Sequence, residues 1–131
     1  MMYEEYLSAI IILTVLMHIL DDYVLQGVCL SNLKQKSYWK ENLRMYRNDY
    51  KVALIVHGMS WSSLVMLPML VLMQMQVTGI FIIVWLAMGL VHAFIDDLKA
   101  NLKVINLVTD QTLHMIQIAV VIILFWQGLL T

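Results

Sequence analysis

Four long runs of apolar residues, separated by shorter polar segments, dominate the chain. Each run is near the ~20 residues that an α-helix needs to cross a bilayer. The runs cover about 6–27, 52–73, 77–97 and 111–130. The pattern predicts an all-α protein, an integral membrane four-helix bundle that forms a single transmembrane domain over residues 1–131.

The composition supports lipid rather than water as the surroundings of these helices. The 131 residues are 62% hydrophobic and only 13% charged, whereas a soluble domain has about 25% charged residues. The net charge of −1 is uninformative, because the charged residues are segregated along the chain, and we expect no nucleic-acid partner. The single cysteine, Cys29, excludes an internal disulfide, and its role stays open.

Positive charge is confined to two polar segments. The basic loop 31–51 holds six of the eight lysines and arginines: Lys34, Lys36, Lys40, Arg44, Arg47 and Lys51. The other two, Lys99 and Lys103, follow the third predicted helix. In a four-span topology both segments lie on the same side, which the positive-inside rule makes cytoplasmic. We therefore expect both termini to be non-cytoplasmic.

Each predicted helix carries one histidine: His18, His57, His92 and His114. At 1.5 Å per residue, all four lie in one layer, roughly 6 to 13 Å inside the cytoplasmic edge. Side chains on facing helices build the sites found in bundle cores. The sequence therefore predicts a shared site rather than four separate histidines.

Aspartates sharpen this prediction, because three of them lie four residues from a histidine and so share its helical face. The pairs are His18 with Asp22, His92 with Asp96, and Asp110 with His114. The order inverts where the helix runs in the opposite direction, so every aspartate lies nearer the cytoplasm than its histidine. The roles of Asp21, next to Asp22, and of Asp97, about 140° around the helix from His92, stay open.

Carboxylates within apolar helices are expensive, at least ~2.5 kcal/mol each near the helix centre. A bound cation would neutralise them and use neutral imidazole as a ligand. This ligand set suits a divalent transition metal, either zinc, iron or manganese, with enough ligands for one or two ions. The candidate metal ligands are His18, His57, His92, His114, Asp22, Asp96 and Asp110. Alternatively, only the histidines bind the metal, and each aspartate orients a histidine through the ring nitrogen that does not bind the metal.

Together these motifs resemble a family of small bacterial and phage membrane proteins, domain-of-unknown-function family 3307. The motifs are H18-x-x-x-D22-x-x-x-Q26, H92-x-x-I95-D96-x-x-K99 and D110-Q111-x-x-H114. The resemblance adds Gln26, Lys99 and Gln111 to the candidate site as cofactor-binding residues. It implies a multi-pass protein of the bacterial inner (cytoplasmic) membrane, and no activity.

The leading functional hypothesis is a metal-dependent hydrolase that acts within the membrane. Its catalytic residues would be Asp22, Asp96 and Asp110, and its substrate a lipid-linked phosphate or an ester from the cytoplasmic leaflet. Three alternatives stay open: a metal-ion binding or transport protein, a haem-binding bundle, which the acidic layer disfavours, and a non-catalytic protein of the phage or host envelope. Membrane lipid is the expected partner, and a homo-oligomer stays open.

Overall fold

The chain folds as a series of helices, with no strand in residues 4–39 and 47–131, which the computed structural model describes. Two short 3₁₀ turns, Glu4–Tyr6 and Lys36–Trp39, and a π-helical segment, Leu20–Leu25, accompany five α-helices. These are α1 (Leu7–Ile19), α2 (Gly27–Leu33), α3 (Asp49–Leu72), α4 (Gly79–Ala100) and α5 (Leu107–Trp126). The predicted all-α class is confirmed.

Four helical stretches are long and apolar enough to cross a membrane: Leu7–Leu25, Asp49–Leu72, Gly79–Ala100 and Leu107–Trp126. Large apolar side chains also cover their outer surfaces; Ile12, Ile83 and Val120, for example, are exposed. Both features are compatible with a multi-pass membrane protein.

The first predicted helix is not one regular helix. It widens into the π-helical segment at Asp21 and Asp22, where the amide of Gln26 donates to the carbonyl of Asp21 at 2.9 Å. Gly27 then adopts a φ of +55°, a conformation that side chains rarely tolerate. Because π turns accommodate an extra residue, two adjacent aspartates both reach the inside of the bundle here.

The segment 31–51 is not simply a solvated loop. Helix α2 runs into it and buries Lys34, which is 5% exposed. The side chain of Asn101 fastens this segment to the end of α4, because it donates to the carbonyl of Lys34 at 3.0 Å and accepts from the amide of Lys36 at 2.7 Å. Two of the predicted basic residues, Lys40 and Arg44, lie outside the described residues.

Side-chain caps set where α4 and α5 begin. Thr78 accepts from the amide of Phe81 at 3.1 Å, and Asn106 accepts from the amide of Thr109 at 2.9 Å. Helix α5 therefore begins at Leu107, four residues before the predicted start at 111. Asp110 consequently lies in the first turn of α5, where the helix dipole favours negative charge.

The bundle is divided into a polar half and an apolar half. Helix α3 shows the division along one face, where His57 is followed at one-turn intervals by Trp61, Val65 and Met69, all of them buried. The apolar half packs these residues against others from α4 and α5: Phe81, Met88, Ile118, Val121 and Phe125. The polar half faces α2, the C-terminus of α4 and the N-terminus of α5, which we call the α2 end.

Helices α3 and α4 approach closely at two glycines, next to the polar half. A Cβ atom on Gly58 would lie 2.2 Å from the carbonyl oxygen of Gly89 and 3.1 Å from Cβ of Ala93. Small residues of this kind allow close helix packing in membranes. This contact sets the separation between the helices that carry His57 and His92.

We expect Gly58→Ala to force α3 and α4 apart and to lower the free energy of unfolding by about 1–3 kcal/mol, the usual range for overpacking. Gly79→Ala is the matched control, since nothing lies within 4 Å of a Cβ atom there. Thermal unfolding in detergent micelles measures both. Equal unfolding temperatures for the two variants would contradict the close contact.

Candidate metal centre

The structure brings the four histidines together in one buried layer. The rings of His57 and His92 have centroids 5.0 Å apart, those of His92 and His114 stack at 4.1 Å, and those of His18 and His114 lie 5.8 Å apart. None of the four is more than 1% exposed. Because the stacked pair is in direct contact, no haem macrocycle fits between those two rings.

Four aspartates surround these rings. We call the eight residues together the polar layer: His18, His57, His92, His114, Asp21, Asp22, Asp96 and Asp110. Asp21, Asp96 and Asp110 are buried, and the side chain of Asp22 is 9% exposed. The structure thus places every predicted metal ligand in this layer, although not all of them in the same role.

Three atoms from two helices form what we call the first ligand cluster. Nε2 of His57 lies 3.2 Å from Nε2 of His92 and 3.5 Å from Oδ2 of Asp96, and the remaining separation is 4.0 Å. Atoms that bind one zinc ion at its usual tetrahedral distances are about 3.3 Å apart. The cluster could therefore hold a divalent metal ion after small adjustments.

Asp22 closes the open side of the first ligand cluster. Its Oδ1 lies 3.3 Å from Nε2 of His57 and 3.7 Å from Nε2 of His92. Within the described parts of the chain this oxygen is buried and makes no hydrogen bond. Its other oxygen, Oδ2, accepts from Gln111 at 3.4 Å. One carboxylate oxygen is therefore held in place while the other faces the cluster.

Other side chains orient the rings of His57 and His114 through contacts with Nδ1. Oδ2 of Asp21 lies 3.2 Å from Nδ1 of His57, and its Oδ1 accepts from Ser60 at 2.7 Å. Nδ1 of His114 contacts Oε1 of Gln117 at 3.3 Å. Contacts on Nδ1 of this kind leave Nε2 available to bind a metal ion. Asp21, whose role the sequence left open, thus supports His57.

The ring of His18 lies in the polar layer, and side chains of other helices contact both of its nitrogens. Its Nδ1 accepts from the indole of Trp61 at 2.8 Å, and its Nε2 contacts Oε1 of Gln111 at 3.1 Å. Both ring nitrogens are therefore engaged, and His18 belongs to none of the possible ligand groups among the described residues. Instead it holds Gln111, whose amide donates to Asp110 at 3.1 Å and to Asp22.

Two lysines compensate part of the negative charge. Lys34 donates to Oδ2 of Asp96, and Lys99 donates to Oδ2 of Asp110 at 2.5 Å. With neutral imidazoles, four carboxylates and two ammonium groups leave two negative charges in this part of the described structure. One divalent cation would neutralise that remainder.

Two small polar cavities adjoin the polar layer at the α2 end. One, of about 290 Å³, is lined by residues that include Gln26, Lys34, Asp96 and Lys99. The other, of about 180 Å³, is lined by Asp22, Tyr23, Gln26, Asp96, Lys99, Leu107 and Gln111. The aspartates of the layer therefore border open space on this side, while the apolar half of the bundle closes the other.

Similarity to known proteins identifies the family of this chain. The family of proteins of unknown function DUF3307 matches residues 10–130. The chain belongs to this family. Neither the curated proteins nor the solved structures contain a match. The resemblance drawn from the His and Asp motifs is confirmed, and all the motif residues of this DUF3307 protein fall within the matched range.

The three residues that the resemblance added all lie at the polar layer. Lys99 and Gln111 bind its carboxylates as described above. The side-chain amide of Gln26 lies 3.4 Å from Nε2 of His57. The neighbouring groups favour one orientation of this amide. In that orientation the amide nitrogen donates to the carbonyl of Asp22 at 3.0 Å, and the amide oxygen accepts from Lys34. Each therefore contacts a residue of the polar layer directly.

Sequence reasoning missed Lys34, Trp61 and Gln117 as parts of the site. Gln117 follows His114 by three residues, and Trp61 follows His57 by four, so helical spacing could have found both. The ring of Trp61 stacks on that of His92 with centroids 4.3 Å apart. Lys34 has no such signal, because its position depends on the change of direction at Gly27.

We expect Lys34→Met to leave Asp96 as a buried carboxylate without its ammonium partner, at a cost of about 3–5 kcal/mol in the free energy of unfolding. The measurement is thermal unfolding in detergent with a metal chelator, so that no ion replaces the lysine. The double variant Lys34→Met/Asp96→Asn should recover much of the loss.

Lys36→Met is the matched control for this prediction, since Lys36 has no contact with an aspartate of the polar layer. A loss in Lys36→Met equal to that in Lys34→Met, or no recovery in the double variant, would contradict the ion pair.

Proposed function

We propose that this DUF3307 protein is a membrane-embedded hydrolase that uses a divalent metal ion to cleave a phosphate ester of a lipid. The observation that carries the proposal is the first ligand cluster. Three buried ligand atoms, from His57, His92 and Asp96, converge with the free Oδ1 of Asp22 on their open side. Three protein ligands and one open position are typical of catalytic zinc sites.

The ligand types suggest which ions the site would accept. Two imidazole nitrogens and a carboxylate oxygen suit zinc, iron or manganese better than calcium or magnesium, which prefer oxygen ligands. Asp21 behind His57 supplies the outer carboxylate that commonly accompanies a metal-binding histidine. A divalent charge also matches the two negative charges that the lysines leave uncompensated.

The chemistry follows from the position of Asp22. A bound metal ion would lower the pKa of its water ligand to about 7. Asp22 would accept one proton of the attacking water, whose oxygen forms the new bond to phosphorus. The ester P–O bond breaks, and the proton passes to the leaving alcohol, so water is divided between the two products. Lys34 and Lys99, beside this position, would bind the phosphate oxygens.

The smaller cavity supports a lipid substrate. Its wall combines the carboxylate of Asp22 and the ammonium of Lys99 with two side chains that lie largely on the outer surface, Tyr23 and Leu107. The neighbouring Val108 is 74% exposed. A headgroup could therefore reach the polar layer while its acyl chains remain among apolar side chains.

Access from one end favours hydrolysis over transport. A transporter needs a path from its site to both faces of the membrane, whereas here Trp61, Val65, Met69, Val121 and Phe125 fill the bundle beyond the histidines with at most 1% exposure. The open cavities adjoin the layer at the α2 end. This arrangement suits a substrate that enters and leaves from the same side.

The distribution of lysine and arginine supports a cytoplasmic position for the α2 end. Lys36, Arg47, Lys51, Lys99 and Lys103 lie in or beside the connections at this end, in accordance with the positive-inside rule. In this orientation both termini are outside the cytoplasm, and the substrate comes from the cytoplasmic leaflet of the bacterial inner membrane.

The purified protein should contain zinc, iron or manganese and should release inorganic phosphate from phosphatidylcholine vesicles that contain phosphatidic acid. His92→Ala removes a ligand and should lose both properties. Asp22→Asn should keep the metal but lower phosphate release about 10²- to 10⁴-fold, the usual contribution of a general base. Mass spectrometry of metal content and a phosphate assay give the two readings.

Asp97→Asn is the matched control, because the described side-chain hydrogen bond of Asp97 goes to Asn101 and not to the polar layer. It should keep metal and activity. Bound metal with no phosphate release by wild type would contradict the hydrolase and favour metal binding or transport. Absence of metal after purification and reloading would contradict the whole proposal.

The exposed Cys29 provides a direct test of orientation, since it is the only cysteine and lies on α2. A maleimide that cannot cross membranes should label it in inverted inner-membrane vesicles and not in spheroplasts. The variant Cys29→Ser/Thr131→Cys should show the opposite pattern, because it reports on the C-terminus. Labelling of Cys29 in spheroplasts alone would contradict the cytoplasmic placement.

A further inference from the structure

We propose that the site takes a second divalent ion, bound by Oδ1 of Asp96, Oδ1 of Asp110 and Nε2 of His114, so that Asp96 bridges two ions. We call these three residues the second ligand cluster. The inference rests on the proposed function, which needs only the first ion. It turns a single-metal site into a two-metal site within the same polar layer.

The geometry of the second ligand cluster resembles that of the first. Nε2 of His114 lies 3.5 Å from Oδ1 of Asp96 and 3.5 Å from Oδ1 of Asp110. These separations again match ligands of a single ion, which lie about 3.3 Å apart. All three side chains are at least nine-tenths buried.

Two of these atoms have no other partner. In the part of the chain that the structure describes, Oδ1 of Asp110 and Nε2 of His114 are buried and make no hydrogen bond. The opposite atoms of the same side chains are held: Oδ2 of Asp110 by Lys99 and Gln111, and Nδ1 of His114 by Gln117. Since buried polar atoms are rarely left unpaired, two such atoms fixed side by side favour a cation as their common partner.

Asp96 joins the two clusters through its two oxygens. Oδ2 faces His57 and His92, whereas Oδ1 faces His114. In two-metal hydrolytic sites the ions lie about 3.5–4 Å apart and stabilise the attacking and the leaving oxygen. A carboxylate that uses one oxygen for each ion is a natural bridge at this separation.

Charge determines when the second ion binds. The first divalent ion neutralises the negative charge that Lys34 and Lys99 leave in the polar layer. A second divalent ion then creates an excess of two positive charges, which a phosphate dianion would balance. We therefore expect the second ion and phosphate to bind together, each raising the affinity for the other.

The experiment uses the full-length protein in detergent, stripped of metal and titrated with Mn²⁺ with and without inorganic phosphate. Wild type should bind two Mn²⁺ per chain in the presence of phosphate, with an exchange-coupled electron paramagnetic resonance spectrum. Phosphate should lower the Kd of the second ion by about tenfold, within the range of typical site-to-site coupling. Asp110→Asn and His114→Gln should each bind one ion and lose the coupled spectrum.

Asp97→Asn should behave as wild type. If wild type binds one Mn²⁺ at saturating metal and phosphate, the second site is overturned while the first site stands. Two ions in both Asp110→Asn and His114→Gln would also overturn the assignment. No bound ion in wild type would overturn the proposed function and this inference together. The coupled spectrum of wild type is independent of whether either variant folds.

Discussion

Compensation of buried negative charge is the constraint on which the rest of this structure depends. Four carboxylates lie within an apolar bundle, and burial of an uncompensated charge is too costly to persist. The chain supplies two ammonium groups, from Lys34 and Lys99, each bonded to a different aspartate. Asp21 and Asp22 face imidazole nitrogens instead. The two ammonium groups therefore neutralise only two of the four negative charges. A divalent cation at the histidines would neutralise the other two.

The local irregularities of the fold follow from the same constraint. A regular α-helix would turn adjacent residues 100° apart, so Asp21 and Asp22 could not easily serve the same centre. The π-helical segment places both against His57, one at each ring nitrogen. The left-handed Gly27 then redirects the chain so that Lys34 returns to Asp96. Trp61 marks the inner limit of the polar layer, bonded to His18 and stacked on His92.

Helical spacing made much of this predictable. The apolar runs give the four long helices. The single histidine of each helix, with an aspartate four residues away on three of them, indicates which faces meet. The roles of individual atoms were not predictable. His18 has the same spacing to Asp22 as His92 has to Asp96, yet a tryptophan and a glutamine from other helices engage both of its nitrogens. Lys34 belonged to an apparently solvated segment, because nothing in the sequence shows how a glycine redirects the chain.

In two of the three His–Asp pairs, the aspartate lies closer to a histidine of another helix than to the histidine of its own helix. If each aspartate served the histidine of its own helix, contacts within a helix would be the shorter ones. Instead His57 lies 3.3 Å from Asp22, closer than the 3.6 Å between Asp22 and His18. His57 also lies 3.5 Å from Asp96, closer than the 4.0 Å between Asp96 and His92. The spacing of four therefore sets a common depth and face, and the centre itself is assembled between helices.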